Sequence, residues 1–367
     1  MGERSFDVAI IGGGIIGTSA AAYLAEAGVS VVLFERDELA AGASGRNSGA
    51  VQHPFDAPFV ELHHESVRLY REPQLRAAGF ELAARPNGLM LISFDEVAVA
   101  AAASTLARDW PELAPALLPA GAAPAVEPAL DERLAACRLE TGYPVVPAAA
   151  TLAFARRSQS AGAQLRTHAD ATPMIEADRV TGVRLAGGES VPCGQVLVAC
   201  GPWSSAVIPR WAADPPIRAL WGVVVSTSMA TAPLHVLEEL GIDRPGSRPD
   251  RMFSLVAAGG TTSVGSTFLP NEPDAAGLAN EILERGRRFV PALRGAQVEA
   301  VRACARPVAL DGRPIIGAVP GTDGLFVCAG HGPWGISTGP ASARLVADQM
   351  LGTGAERADL SPGRIVP

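Results

Sequence analysis

Gly12, Gly14 and Gly17 are the first residues in the chain whose spacing could do chemistry. They follow the apolar run Phe6–Ile11 and open the alanine-rich stretch Thr18–Ala27, which should stop at Gly28. Val29–Phe34 reads as a second buried strand, completing a strand–turn–helix–strand unit of roughly 30 residues. Gly12 allows the tight turn, Gly14 lets a diphosphate approach the backbone, and Gly17 lets helix and strand pack closely. Ile15 and Ile16 begin the helix, whose N-terminus offers unpaired N–H groups and a positive dipole end. Glu35, with Arg36 beside it, lies 18 residues past Gly17, placed to accept ribose hydroxyls. An acid there disfavours a 2′-phosphate and so NADP. The unit alone leaves NAD and FAD open.

The 30 basic side chains are all arginine. Without lysine, Schiff-base chemistry has no ε-amino nucleophile, and a Walker-type phosphate loop has no cation. Carboxylates and phosphates must be held by arginine, backbone N–H groups or hydroxyls.

A net charge of −8 argues against nucleic acid as the main partner. Apolar residues at 48% and charged residues at 19% describe an ordinary folded chain, long enough for about two domains. The five cysteines (Cys137, Cys193, Cys200, Cys304 and Cys328) are odd in number, irregularly spaced and without a CxxC pair. They fit a reducing compartment and exclude a disulfide framework or zinc ribbon. No metal-ligand spacing is found, His63-His64 included. The longest apolar runs, such as Val97–Ala103, fall far short of the about 18 residues of a membrane span, and nothing resembles a signal peptide. A cytoplasmic protein is expected.

Farther along, helical spacing marks Pro58–Tyr70, residues 97–135 read as short helices, and a helix begins near Pro147 and closes at Gly162. Strands are expected at Gln164–His168, Pro173–Glu176, Val180–Leu185, Gln195–Ala199, Ile217–Ser226, Met252–Phe268 and Leu325–Ala329, with helices over Asp274–Phe289 and Pro340–Met350. One α/β unit is thus interrupted by insertions of more antiparallel character.

Four blocks together resemble the D-amino-acid oxidase, glycine oxidase and sarcosine oxidase family of flavoproteins. They are GGGIIG with Glu35; ASGRNSGAV (Ala43–Val51); VLVACGPWS (Val196–Ser204); and RPVALDGRPIIG (Arg306–Gly317) with GHGPWGIST (Gly330–Thr338). The resemblance implies FAD rather than NAD. It also implies an α/β (α+β overall) fold: a glutathione-reductase-like Rossmann FAD-binding domain over residues 1–85, 145–215 and 301–367, and a substrate domain on a mixed, largely antiparallel sheet over 86–144 and 216–300. Further implied FAD contacts are Ser44, Gly45, Arg46, Asn47, Ser48, Gly49, Ala171, Cys200, Gly201, Trp203, Gly330, His331, Gly332, Trp334, Gly335, Ile336 and Ser337. N–H groups from Gly335 to Thr338, backed by a helix dipole, could stabilise negative charge on the flavin.

The same resemblance places Arg306 over the flavin, gripping a substrate carboxylate, a task suited to its planar fork. The alternative is an arginine satisfied by carbonyls and Asp311. Pro333 stands where glycine oxidases carry a second arginine, and Phe253 where a tyrosine often supports the carboxylate. With Trp334, Phe253 and Trp221, the pocket should be apolar and aromatic, fit for a substrate larger than glycine. Cys304 lies where sarcosine oxidases attach flavin covalently, but its surroundings differ, so non-covalent FAD is expected. Arg46, His53 or His331 could supply positive charge beside the flavin for dioxygen. The implied reaction is oxidation of an amino-acid C–N bond (glycine, N-substituted glycine or D-amino acid). Hydride passes from Cα to flavin N5, the imine hydrolyses to a 2-oxo acid and an amine, and O2 becomes H2O2. A dehydrogenase using a quinone or carrier, a 2-hydroxy-acid oxidase and a non-catalytic flavin-binding subunit are the alternatives; a homo-oligomer is compatible.

Overall fold

The computed structural model describes residues 5–242 and 251–365. The outer ends of the expected FAD-binding segments, and residues 243–250 of the expected substrate segment, lie outside the described residues.

The N-terminal unit forms as its pattern dictates. Strand β1 (Phe6–Ile11) enters helix α1 (Ile15–Glu26), and the chain returns as β2 (Val31–Phe34), parallel to β1 in register Val8↔Val31 to Ile11↔Phe34. Eleven of the twelve α1 residues are buried, because the C-terminal helix Gly335–Met350, with α2 (Ala57–Leu69) packed on it, and α3 (Ala149–Ser160) flank α1. Arg157 of α3 joins this helical layer from within, its guanidinium 2.7 Å from Glu26 and 2.8 Å from Glu72. Strand β3 (Ser190–Val198) pairs parallel with β1 on the side away from β2.

The second layer begins at β4 (Ile217–Ser228) and continues through β5 (Val236–Glu239), β6 (Arg251–Ala258) and β7 (Thr261–Thr267). Helix α4 (Ala275–Phe289) packs its apolar face on this sheet, and β8 (Gln297–Ala309) runs along β4 over twelve paired positions. The chain then rejoins the first sheet through β9 (Leu325–Ala329) and ends in α5 (Gly335–Met350).

The first sheet has the order Ile315–Ala318, β9, β3, β1, β2, Gln164–Arg166, with the hairpin Ala171–Glu176/Arg179–Leu185 attached to β3. The second has the order β8, β4, β7, β6, β5, Leu89–Ser93, Ala135–Leu139, Ala116–Leu118. Its pairs are antiparallel except β5 with Leu89–Ser93. This is the expected parallel dinucleotide sheet with a second, mixed sheet.

Three local expectations change. The stretch 97–135 holds, besides the helix Glu96–Asp109, the edge strand Ala116–Leu118. The expected domain join at residue 301 falls inside β8, which runs unbroken from Gln297 to Ala309. Helix α5 begins at Gly335, so Pro340 stands inside it instead of in its first turn.

Candidate active site

A cleft of about 520 Å3 runs between the two sheets. Its floor is the β1–α1 turn. A Cβ on Gly17 would sit 1.9 Å from the Gly12 carbonyl oxygen, and one on Gly12 would sit 2.4 Å from the Ala199 oxygen. Both glycines are therefore required for strand and helix to approach. Helix α1 has no side-chain cap at Gly14; the Ser44 hydroxyl instead accepts the Ile15 N–H at 2.9 Å. Glu35 accepts the Gly13 N–H at 2.6 Å through Oε2 and the Asp37 N–H at 2.9 Å through Oε1, which fixes its carboxylate at the end of β2.

Gly12, Gly14, Ile15, Ile16, Glu35, Arg36, Ser44, Arg46, Asn47, Ser48, Ala171, Cys200, Gly201 and Trp203 all line this cleft. So do His331, Gly332, Trp334, Gly335, Ile336 and Ser337 from the opposite wall. The Arg36 guanidinium lies 4.2 Å over the Trp203 ring. Gly17, Gly45, Gly49 and Gly330 do not face the opening.

At the other end of the cleft, β8 presents Arg302, Cys304 and Arg306 on one face, as the two-residue period of a strand requires. Arg306 donates to the Thr267 carbonyl at 3.0 Å and to Ser266 Oγ at 2.5 Å, and its guanidinium lies 4.9 Å from the Phe268 ring centre. It has no carboxylate partner among the described residues, because Asp311 pairs with Arg364 at 2.8 Å. Burial pulls the Arg306 pKa below its usual value, though still that of a cation. Room for the guanidinium comes from Gly222 on the paired strand, where a Cβ would stand 2.4 Å from Arg306 Nη2.

Cys304 is buried beside these arginines. Burial raises its pKa, opposed by Arg306, Arg302 and Arg46, and its Sγ lies 4.0 Å from the Ala43 oxygen. Arg302, to which sequence reading gave no role, donates to the carbonyls of Arg46 (3.2 Å) and Asn47 (2.9 Å) and to Ser263 Oγ (3.0 Å) and Ser226 Oγ. It ties the Ala43–Val51 loop to the second sheet. The alternation Arg-x-Cys-x-Arg was the available signal.

Two expected site residues lie elsewhere. Phe253 is fully buried, stacked on Phe289 at 4.8 Å in the core beneath α4, and the strand presents Ser254 to the cleft instead. His53 is buried outside the cleft against Trp110 at 4.9 Å, and His63 and His64 pack around it. Burial, with the neighbouring His64, lowers the His53 pKa to about 4, and burial lowers that of His331 to about 3. Both imidazoles are neutral near pH 7, so the positive charge in the cleft belongs to arginines. His331 does line the cleft, with Nε2 2.9 Å from Ser342 Oγ. Since Ser342 donates to the Thr338 carbonyl, the His331 proton belongs on Nε2. The wall also includes Trp221, Phe268, Gln52 and Glu238, the last two without any local sequence signal.

The sequence model of the DAO family, FAD dependent oxidoreductase, matches residues 7–349. The chain belongs to the FAD dependent oxidoreductase family. It is 26% identical over 368 residues to a glycine oxidase of Bacillus licheniformis, covering 95% of this chain and 94% of that one. It is 29% identical over 362 residues to a glycine oxidase of Geobacillus kaustophilus, covering 94% and 92%. The crystal structure of glycine oxidase from Geobacillus kaustophilus superposes with a TM-score of 0.85 at 26% identity, covering 99% of this chain and 100% of that one.

FAD is the cofactor of this flavoenzyme, and the residues present fit it. The Gly12/Gly17 approach leaves the α1 N-terminus open for a diphosphate, and Glu35 is fixed where ribose hydroxyls are read. The α5 N-terminus opens on the far part of the same cleft. Among the described residues no group of three or more His, Cys, Asp or Glu could hold a metal ion, and no helix is long and apolar enough to cross a membrane.

Proposed function

We propose that the chain is an oxidase of the C–N bond of a small amino acid: glycine, an N-substituted glycine or a D-amino acid. The observation that carries this reading is Arg306, a buried cation in the cofactor cleft with no carboxylate partner among the described residues. A substrate carboxylate completes it through the planar fork, while Thr267 and Ser266 hold the fork from behind. Trp221, Phe268 and Trp334 wall the cleft and exclude water, which strengthens that charge–charge contact. Bound FAD supplies the two-electron acceptor for the Cα–H hydride.

No described carboxylate pairs with Arg306, and the neutral His331 of the same cleft holds its proton on Nε2 toward Ser342. The amine therefore enters neutral, and the imine product hydrolyses to a 2-oxo acid and an amine. In this reading FAD is held without a covalent bond, and the burial that raises the Cys304 pKa supports it by disfavouring the thiolate. Dioxygen is the acceptor in this reading, and the glycine oxidase relatives support it.

Anaerobic addition of glycine, sarcosine, bulkier N-alkyl glycines and D-amino acids to the yellow protein tests the proposal. Bleaching by at least one, with amine and peroxide released in air, is expected. Bleaching by 2-hydroxy acids alone, or turnover only with an artificial acceptor, would replace the reading by one of its alternatives.

A further inference from the structure

A second cavity, of about 240 Å3, lies behind a wall of the cofactor cleft. Gly45 and Ser48 line it, and Ser48 also lines the cleft, together with Arg46 and Asn47. The loop is therefore a partition between the two spaces. The second sheet supplies Ser226 of β4, Ser263 of β7 and Arg302 of β8 to the new cavity. Arg302 opens on this side of the loop, while Cys304 and Arg306 of the same strand open on the cleft.

The cavity is rich in donors, and no acidic side chain lines it among the described residues. Ser226 and Ser263 stand opposite each other on the paired strands and are only 6% and 5% exposed. Both hydroxyls accept from Arg302, Ser263 at 3.0 Å, so each keeps its own proton to donate. No acceptor for either proton is found among the described residues. Arg302 spends its Nε–H, both Nη2 protons and one Nη1 proton on these serines and on the carbonyls of Arg46 and Asn47. One Nη1–H is left over. All four partners are neutral. Burial lowers the Arg302 pKa, with Cys304 opposing, yet the group stays a cation. A half-buried charge among neutral partners favours a counter-ion. Thr261, which also lines the cavity, donates to Glu299 at 3.4 Å, but that carboxylate is exposed and screened.

We propose that this cavity binds a small oxyanion of the phosphate or sulfate kind between Arg302 and the hydroxyls of Ser226 and Ser263, and that the anion tightens FAD binding. The link is the loop. Arg302 donates at 3.2 and 2.9 Å to the carbonyls of Arg46 and Asn47, two residues that line the cofactor cleft. The unspent donors are enough for the anion, so those loop bonds are kept. An anion neutralises the guanidinium, fixes it in place, and fixes the loop with it. The coupling is reciprocal: FAD raises the anion affinity by the same factor as the anion raises the FAD affinity. The inference rests on FAD as the cofactor and is independent of the oxidase reading, since no turnover enters its test.

The FAD dissociation constant, read from flavin fluorescence, is followed while phosphate or sulfate is titrated at constant ionic strength. It should fall roughly fivefold or more and then saturate. The arm that saturates at the lower concentration names the anion. Arg306→Ala should keep the effect, which separates this cavity from the substrate end of the cleft. The double variant Ser226→Ala/Ser263→Ala should bind FAD yet lose the effect, because its guanidinium still reaches the loop carbonyls. Crystals of the FAD-loaded wild type soaked in selenate or arsenate, the sulfate and phosphate analogues, locate the site without any variant. Anomalous density beside Arg302 is expected. A dissociation constant that does not respond at constant ionic strength, a response that survives in the double variant, or anomalous density only elsewhere overturns the inference.

Discussion

The Tyr70 hydroxyl donates at 2.7 Å to the Ile336 carbonyl, the acceptor that Pro340, lacking an N–H, leaves without its helical partner. The same helix α2 supplies Ser66 Oγ to the Ala341 N–H at 3.1 Å, and His63 Nδ1 stands 3.3 Å from the Ser337 carbonyl. Residues 63, 66 and 70 follow one face of the helix and its end, and together they replace the bonds that the proline disrupts. The N-terminus of α5 is thereby held at the cleft. Tyr70→Phe keeps the ring but leaves the buried Ile336 carbonyl unpaired, at a cost of about 1–3 kcal/mol. Thermal unfolding of the FAD-loaded protein should shift down by a few degrees; an unchanged melt would mean that the carbonyl finds another donor.

Arg306→Ala removes the guanidinium that grips the substrate carboxylate under the proposed function. A charge-assisted hydrogen bond contributes about 1.5–3 kcal/mol, so kcat/KM should fall roughly 10- to 150-fold, mainly through KM. Flavin content should stay at one per chain, because Arg306 is not needed to close the dinucleotide end. Gly222→Ala should mimic part of this loss, since its Cβ displaces the guanidinium. A mild effect of both would remove Arg306 from the site.

Arg302→Met should weaken flavin retention more than substrate binding. Its donors are the link between the Arg46 and Asn47 carbonyls and Ser263 of the second sheet. Losing them frees the loop that flanks the cleft, and the FAD dissociation constant should rise about tenfold or more. Flavin released on dilution or gel filtration reads this directly. Retention equal to the wild type would show that the loop holds its place without the arginine.

Burial lowers the pKa of His53 to about 4, and of His63 and His331 to about 3, with neighbouring histidines adding to the effect on the first two. In the unfolded chain these groups titrate near 6.5. Below that pH the unfolded state binds protons that the native state refuses. Stability is therefore full above about pH 6.5 and falls as pH drops toward 4. The melting temperature should decline over that window, and His63→Gln should flatten the decline. A slope that does not change in His63→Gln would assign the pH dependence to groups other than His63.

Acid precipitation should leave a colourless pellet and release the flavin to the supernatant. A yellow pellet that turns colourless in Cys304→Ser would show a covalent bond at that thiol.

Much of the dinucleotide end was legible because its information is local. Gly12, Gly14, Gly17 and Glu35 act through a turn, a helix start and a strand end, all within a short stretch of chain. The substrate end was not legible in the same way. Phe253 and Ser254 are adjacent, and which of them faces the cleft depends on strand register, which shifts between Arg251 and Ser254 in the pairing with β7. A shift of one residue turns a side chain from cleft to core, and no local pattern records it.

Composition and motif spacing determined that this chain holds a dinucleotide on a glycine turn and must read carboxylates with arginine, because those constraints belong to residue types and short separations. Tertiary structure decided what surrounds that chemistry. It brought Arg302 to the Asn47 carbonyl, buried His53 away from the cleft, and set Glu238 against Gln52 across 186 positions of sequence. The physical reason is that those contacts arise where two sheets meet, and the packing of one sheet against the other is fixed by the whole chain.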